Sequence, residues 1–228
     1  MNNLPFQAII FDHDGTLVDT ETPDFRAWQM LYEEFGATIS LEYWAATAVG
    51  HMNGYEPLFA DLIQQNGNHH LSVAALRQRL EALWPITLET VALMPGVENL
   101  LTELQATDYP LAIATASDRK WVTRWLTRFN LQPYFQVVAT KDDVINNKPA
   151  PDVYLHAATQ LGVDPQRCLV FEDSLAGLQA AKAAGMTVIA IPSHVTQSLD
   201  FSQADAVVFG LQNVTVEWIE AFTTRRSL

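Results

Sequence analysis

Ala8-Ile9-Ile10-Phe11-Asp12-His13-Asp14-Gly15-Thr16 is the stretch on which the reading of this chain turns. Ala8 to Phe11 is an apolar run of strand length, as a short buried strand requires. Asp12 and Asp14 come where that strand ends and a loop begins. In an open α/β sheet the carboxyl ends of strands are where ligands bind. Residues two apart on a strand share a face. The backbone is leaving the strand here, so the firm expectation is only that the two carboxylates stay close. One can attack while the other handles a proton, and a cation can neutralise both. Two plainer readings compete. Asp and Gly together suit a tight turn. The stretch also opens like a calcium loop, which needs an oxygen ligand at position five, Gly at six and Glu at twelve. Here Gly15 is fourth, Thr16 fifth and Leu17 sixth, which argues against calcium.

Outward from this stretch the chain changes texture twice. Residues 23–35 place Phe25, Trp28, Leu31, Tyr32 and Phe35 on one helical face, with Thr22 as the expected cap, Pro23 at the first position and Gly36 as the stop. Further helices are expected near 41–49, 55–65 and 72–84, the last carrying Val73, Leu76, Leu80 and Leu83 behind a Ser72 cap. No strand pattern interrupts residues 20–90. From Met94 onward, helices alternate with the apolar runs Leu111–Ala114, Val137–Ala139, Leu169–Phe171, Val188–Ile191 and Ala206–Phe209. Such alternation implies a parallel sheet covered on both faces, to which the first strand belongs. The fold class is therefore α/β. An α/β core of residues 1–17 and 93–228 is expected, with an all-helical insert over 18–92.

The bulk numbers set limits. The chain has 228 residues, 49% of them hydrophobic and 17% charged, enough apolar material for a sizeable core. Its formal net charge is -13, which disfavours nucleic acid and anionic membranes, since both need basic patches. The single cysteine, Cys168, excludes an internal disulfide and a cysteine metal cluster. No apolar run approaches the ~20 residues of a membrane span, and no basic flank precedes the first apolar run. A cytoplasmic setting is expected, for a monomer or weak homodimer.

Polar residues recur at later strand ends. Leu111–Ala114 runs into Thr115-Ala116-Ser117-Asp118 before a helix. These are capping residue types, but a helix N-terminus also attracts anions, and Thr115 could hold a phosphate while Ser117 or Asp118 caps. Lys148, one of only four lysines, precedes Pro149, which restricts its backbone and could aim its ammonium inward. Leu169–Phe171 ends in Glu172-Asp173-Ser174. This acid pair could begin a helix or complete an oxygen-ligand site for magnesium. The order counts most: carboxylate pair, hydroxyl, lysine and acid pair, each at a strand's carboxyl end.

With these motifs the chain resembles the haloacid dehalogenase superfamily of phosphohydrolases. The match is best with the branch that inserts a helical cap after the first motif, which includes β-phosphoglucomutase and many sugar-phosphate phosphatases. Residues 11–21, Thr115-Ala116-Ser117, Lys148-Pro149-Ala150-Pro151-Asp152 and residues 171–177 carry the resemblance. It implies a Rossmann-like parallel-sheet core with an inserted all-helical cap. It also implies a magnesium-dependent phosphatase that forms an aspartyl phosphate on Asp12, with Asp14 as general acid/base. Thr115, Ala116 and Lys148 would hold the phosphoryl group. Asp12, Asp173 and the main-chain carbonyl of Asp14 would hold Mg2+, with help from Glu172. The expected partner is a small-molecule phosphate ester such as a sugar phosphate.

The cap distinguishes neighbours. Dehalogenases of the superfamily lack the second aspartate, so Asp14 favours a phosphate ester. Mutases of the branch carry a histidine and an arginine where this chain has Asp24 and Asn53. Without that arginine a second phosphate has no evident bidentate clamp, so hydrolysis is preferred, with phosphoryl transfer and a silent binding protein as alternatives. Asp24, His51 and Asn53 are the candidate substrate residues of the cap. Arg77 or Arg79 could add a cation. His69-His70 has no third ligand nearby and is discounted as a metal site.

Overall fold

The structure, a computed structural model, describes residues 5–50, 55–67 and 71–222. The elements run in the order β1 (Ala8–Phe11), β2 (Val18–Asp19), α1 (Glu21–Glu34), α2 (Leu41–Ala48), α3 (Tyr55–Asn66), α4 (Val73–Thr87), β3 (Ala92–Leu93) and α5 (Val97–Gln105). They continue with β4 (Leu111–Ala114), α6 (Arg119–Arg128), β5 (Val137–Ala139), α7 (Asp152–Leu161), β6 (Cys168–Glu172), α8 (Leu175–Ala183), β7 (Thr187–Ala190), β8 (Ala206–Val207) and α9 (Val216–Ala221).

The main sheet has the order β5-β4-β1-β6-β7-β8, and every pairing in it is parallel. From β4 the chain moves outward to β5, then crosses to β6 on the other side of β1. The direction of winding thus reverses around β1, and the crevice at its carboxyl end is where such sheets bind ligands. Alternate residues of β1 face opposite ways. Ile9 and Phe11 join a core that includes Leu101, Trp125 and Ile219. Ala8 and Ile10 join the opposite core, with Tyr154, Ala157 and Leu178. Burial of each such large side chain contributes about 1.5–3 kcal/mol.

The four helices α1–α4 form the helical cap, with a separate core around Trp28, Tyr32, Trp44 and Phe59. Its aromatic stripe is packing, as the periodicity indicates. The entry and exit of the cap lie side by side, because β2 and β3 pair antiparallel, Val18 opposite Leu93 and Asp19 opposite Ala92. Two-residue strands carry no readable alternation, so this ribbon has no signature in the sequence.

Three local expectations need revision. The first cap helix starts at Glu21, and Thr22 does not cap it; the Thr22 backbone N–H instead donates to Asp19 Oδ1 at 3.0 Å. Thr20 stands at the N-cap position without a side-chain cap bond, because its hydroxyl serves Asp14. The last strand stops at Val207, and Phe209 is exposed. Cys168 behaves as expected of a buried thiol: burial, with Asp164 nearby, pushes it up to about 12.

Candidate active site

Asp12 leaves β1 with its backbone N–H still donating to the Phe171 carbonyl at 2.9 Å, so the chain end is tied to β6. Lys148 reaches in from the loop before α7. Its Nζ donates to Asp12 Oδ1 at 2.6 Å and to Glu172 Oε1 at 2.7 Å, with all three side chains buried. Glu172, the last residue of β6, is fully engaged. Oε1 also accepts from the Tyr154 hydroxyl at 2.9 Å, and Oε2 accepts from the Ser174 N–H and hydroxyl at 2.8 and 3.0 Å. The Lys148 ammonium further lies 4.8 Å from the centre of the Tyr154 ring.

Two glycines make this crowding possible. A Cβ on Gly177 would stand 1.5 Å from Glu172 Oε1. Gly15 has φ +73, and a Cβ there would meet Asp173 Oδ2 at 2.0 Å. The Gly15 backbone therefore lies against the Asp173 carboxylate in a conformation that other residues rarely adopt.

Carboxylate oxygens of Asp12, Glu172 and Asp173 lie within 4.8 Å of one another. Asp173 Oδ2 is buried with no hydrogen-bond partner, while Oδ1 has only a long 3.5 Å contact from the Thr16 hydroxyl. Burial, reinforced by Glu172 and Asp12, pushes the Asp173 carboxyl well above the usual range. Burial also raises Asp12, to about 7; Lys148 pulls it down, while Glu172 and Asp14 push it up. One ammonium is too little charge for this group. An oxygen-seeking divalent cation such as magnesium fits, because it would satisfy the orphaned Asp173 oxygen and relieve the repulsion. Asp12 and Asp173 are the side chains free to hold it, since both oxygens of Glu172 already accept two bonds each.

Asp14 is surrounded by donors. Thr20 Oγ1 and Trp121 Nε1 donate to Oδ1 at 2.7 and 2.8 Å, and Ser117 Oγ donates to Oδ2 at 2.6 Å. The buried ring of His13 comes within 3.2 Å of Oδ1, although neither of its nitrogens makes a hydrogen bond. Burial raises the Asp14 carboxyl, but His13, Ser117 and Trp121 outweigh it and hold the group well below the ordinary carboxylate range. Donors from both cap and core therefore favour the ionised form in this arrangement.

Thr115, buried at the end of β4, accepts from the Ser117 N–H at 3.1 Å, and Asp118 caps α6 by accepting from the Trp121 N–H. Asn147 spans two loops, its amide donating to the Ala116 carbonyl at 3.0 Å while its own oxygen accepts from the Lys148 N–H. Thr115, Ala116, Lys148, Asp12, Asp14 and Asp173 all open on one cavity of about 800 Å³ between core and cap. Glu172 lies behind Lys148 rather than on the wall.

Asp24 is on the cap side of the same cavity. It accepts from the Tyr55 hydroxyl at 2.5 Å and from Trp84 Nε1 at 2.6 Å. Burial raises it to about 6; these two donors lower it and Asp14 raises it. Glu21 lies nearby, pushed well above the usual range by burial and by Asp24, Asp14 and Asp12. Arg77 lines the cavity in an ion pair with Glu56, whereas Arg79 pairs with Glu34. His51, Asn53, His69 and His70 lie outside the described residues. Thr20, Glu21, Ser117, Trp121 and Asn147 are site residues that motif reading passed over. Thr20, Glu21 and Ser117 sit inside the quoted motifs, whereas Trp121 reads simply as an amphipathic-helix residue.

Comparisons with known proteins place the chain in a family. The family model described as haloacid dehalogenase-like hydrolase matches residues 9–191. The chain is 38% identical over 201 residues to YhcW of Bacillus subtilis (strain 168), covering 87% of this chain and 89% of that one. It is 32% identical to the fructose-1-phosphate phosphatase YqaB of Escherichia coli (strain K12), over 81% of this chain and 95% of that one. The crystal structure of CbbY from Rhodobacter sphaeroides in complex with phosphate superposes with a TM-score of 0.71 at 28% identity, covering 94% and 99% of the two chains. The chain belongs to the haloacid dehalogenase-like hydrolases and is an enzyme of their phosphoric monoester hydrolase class.

Proposed function

We propose that this hydrolase is a magnesium-dependent phosphatase of a small phosphorylated metabolite, a sugar phosphate by kinship, acting through an aspartyl phosphate. The observation that carries the reading is the convergence of Asp12, Thr115 and Asp173, from three strand ends, and Lys148, from the loop before α7, on one cavity. The phosphate ester named for YqaB and the phosphate held by CbbY lend it support. The core would comprise residues 1–17 and 93–228 and the cap 18–92, a division supported by the paired β2 and β3 at the junction.

In this reading Asp12 attacks phosphorus, a P–O bond forms, and the bond to the leaving alcohol breaks. Lys148 and the Thr115–Ala116 loop bind the phosphoryl oxygens and offset charge that grows in the transition state. Asp14 delivers a proton to the leaving oxygen. Water then attacks the aspartyl phosphate while Asp14 takes its proton, releasing phosphate and restoring Asp12. The donors around Asp14 support the base half of this cycle, since they favour a carboxylate ready to accept. Bound magnesium would sit on Asp12 and Asp173 and supply Lewis-acid polarisation of the phosphoryl group. The cap closes the site from water.

The test is phosphate release from a panel of metabolite monoesters with magnesium and with excess chelator. Turnover that needs the metal and vanishes in Asp12→Asn is expected. Undiminished turnover under chelator, or in Asp12→Asn, would refute the mechanism.

A further inference from the structure

The half of the cavity that receives the leaving group carries two carboxyl groups, Glu21 and Asp24, that no cation pairs among the described residues. Among the described residues, seven carboxyl groups line the whole cavity against three cations, Arg77, Lys141 and Lys148. Each of those cations already has a carboxylate partner: Glu56 for Arg77, Asp118 for Lys141 at 3.4 Å, and Asp12 with Glu172 for Lys148. On the cap side Glu21 has no hydrogen-bond or ion-pair partner among the described residues. Asp24 is held only by two neutral donors, the Tyr55 hydroxyl and the Trp84 indole. Those two donors fix the Asp24 carboxylate in place without neutralising it, and each of its oxygens keeps acceptor capacity.

From these unpaired groups we infer that the substrate is a monophosphate whose alcohol portion bears hydroxyl or ammonium donors, and no second anionic group, received by Glu21 and Asp24. The inference rests on the phosphatase reading above and narrows it. A second phosphate on the far side of the ester would face the Asp24 carboxylate with no unpaired cation to offset it. Unpaired like charges of this kind reject a ligand more strongly than a missing contact does. A neutral polyol or a protonated amine instead supplies the donors that these oxygens lack. The aromatic faces of Tyr55 and Trp84 suit either one, by stacking on a sugar ring or by attraction of a cation.

The experiment measures phosphate release by the full chain with magnesium on five esters: glucose 6-phosphate, phosphoethanolamine, propyl phosphate, fructose 1,6-bisphosphate and para-nitrophenyl phosphate. The expected result is a kcat/KM for the sugar or the amine ester at least about tenfold above those for propyl phosphate and the bisphosphate, the loss that one unpaired buried donor or acceptor brings. The ratio between sugar and amine ester identifies which donor the site prefers. In Asp24→Asn and Glu21→Gln, the advantage over propyl phosphate should shrink and the discrimination against the bisphosphate should narrow. A bisphosphate turned over better than the monoesters would overturn the inference, as would variants that keep the full discrimination. Turnover of para-nitrophenyl phosphate with the wrong preference would sink this inference alone. No release from any of the five would sink the phosphatase reading and this inference with it.

Discussion

Lys148 Nζ lies 2.6 Å from Asp12 Oδ1, and both groups are buried. The ammonium is thus shared between the proposed nucleophile and Glu172 before any substrate arrives. A phosphate entering the cavity would find a lysine already aimed, at the height of the attacking oxygen. Removing it in Lys148→Met leaves two buried carboxylates facing each other. At about pH 8 the variant should lose about 3–5 kcal/mol of stability, the usual result of breaking a buried pair from one side. Turnover should fall by ~10² or more, as when a transition-state donor is lost. Urea unfolding and phosphate release measure the two effects. A variant as active as the parent would show that Lys148 serves packing alone.

Gly177→Ala separates a propensity effect from a steric one. Gly177 sits inside α8, where alanine should add about 1 kcal/mol to helix stability. The new Cβ, however, would stand 1.5 Å from Glu172 Oε1, at the end of a side chain held by four hydrogen bonds. Crowding should win, because moving Glu172 breaks its bonds to Lys148 and Tyr154. The variant should melt lower than the parent and turn over more slowly. A higher melting temperature would mean that Glu172 yields freely and that its network contributes little.

The parts of this site that the sequence discloses are those carried by strand ends. A buried apolar run followed by acid, hydroxyl or lysine locates Asp12, Thr115 and Asp173, because chain geometry there is forced by the sheet. Lys148 is readable because proline follows it. What stays hidden is set by tertiary packing. Trp121 reads as one more apolar residue of an amphipathic helix, and only the approach of α6 to the end of β1 turns its indole toward Asp14. The β2–β3 ribbon is too short for any periodicity, and no pattern in the sequence sends the Thr20 hydroxyl to Asp14. Tyr55 and Trp84, separated by 29 positions, meet on Asp24 only because α3 and α4 fold against α1.

Magnesium and protons should compete for the same oxygens. The Asp12 carboxyl is raised by burial to about 7, against 3.8 for the ordinary group, and Asp173 is raised in the same direction. Between those two values the folded, metal-free chain holds more protons than the unfolded chain. The stability that protonated Asp12 contributes therefore falls as pH rises across that window and is lost above about 7. A metal that displaces these protons binds weakly at low pH and tightly at high pH. The rise in melting temperature on adding magnesium should accordingly be small near about pH 5 and large near about pH 8. Thermal unfolding at both values with and without the metal checks this. An equal shift at both would mean that Asp12 and Asp173 are not its ligands.

Trp121→Phe tests what holds Asp14 ionised. The indole N–H donates to Asp14 Oδ1 at 2.8 Å, alongside Thr20 and Ser117. Burial raises this carboxyl, while His13, Ser117 and Trp121 lower it, and the lowering prevails. Phenylalanine keeps most of the ring volume and removes one donor, so the balance must move upward. Carboxyl-carbon NMR of selectively labelled aspartate should place the Asp14 titration at higher pH in the variant than in the parent. The shift has a consequence for turnover. An Asp14 that protonates more readily is a better donor to the leaving alcohol and a poorer acceptor from the attacking water. Release of the first alcohol, followed as a burst, should therefore be spared relative to the steady state, which waits on the water step. A variant that slows both phases equally would show that Trp121 shapes the cavity without setting the proton balance of Asp14.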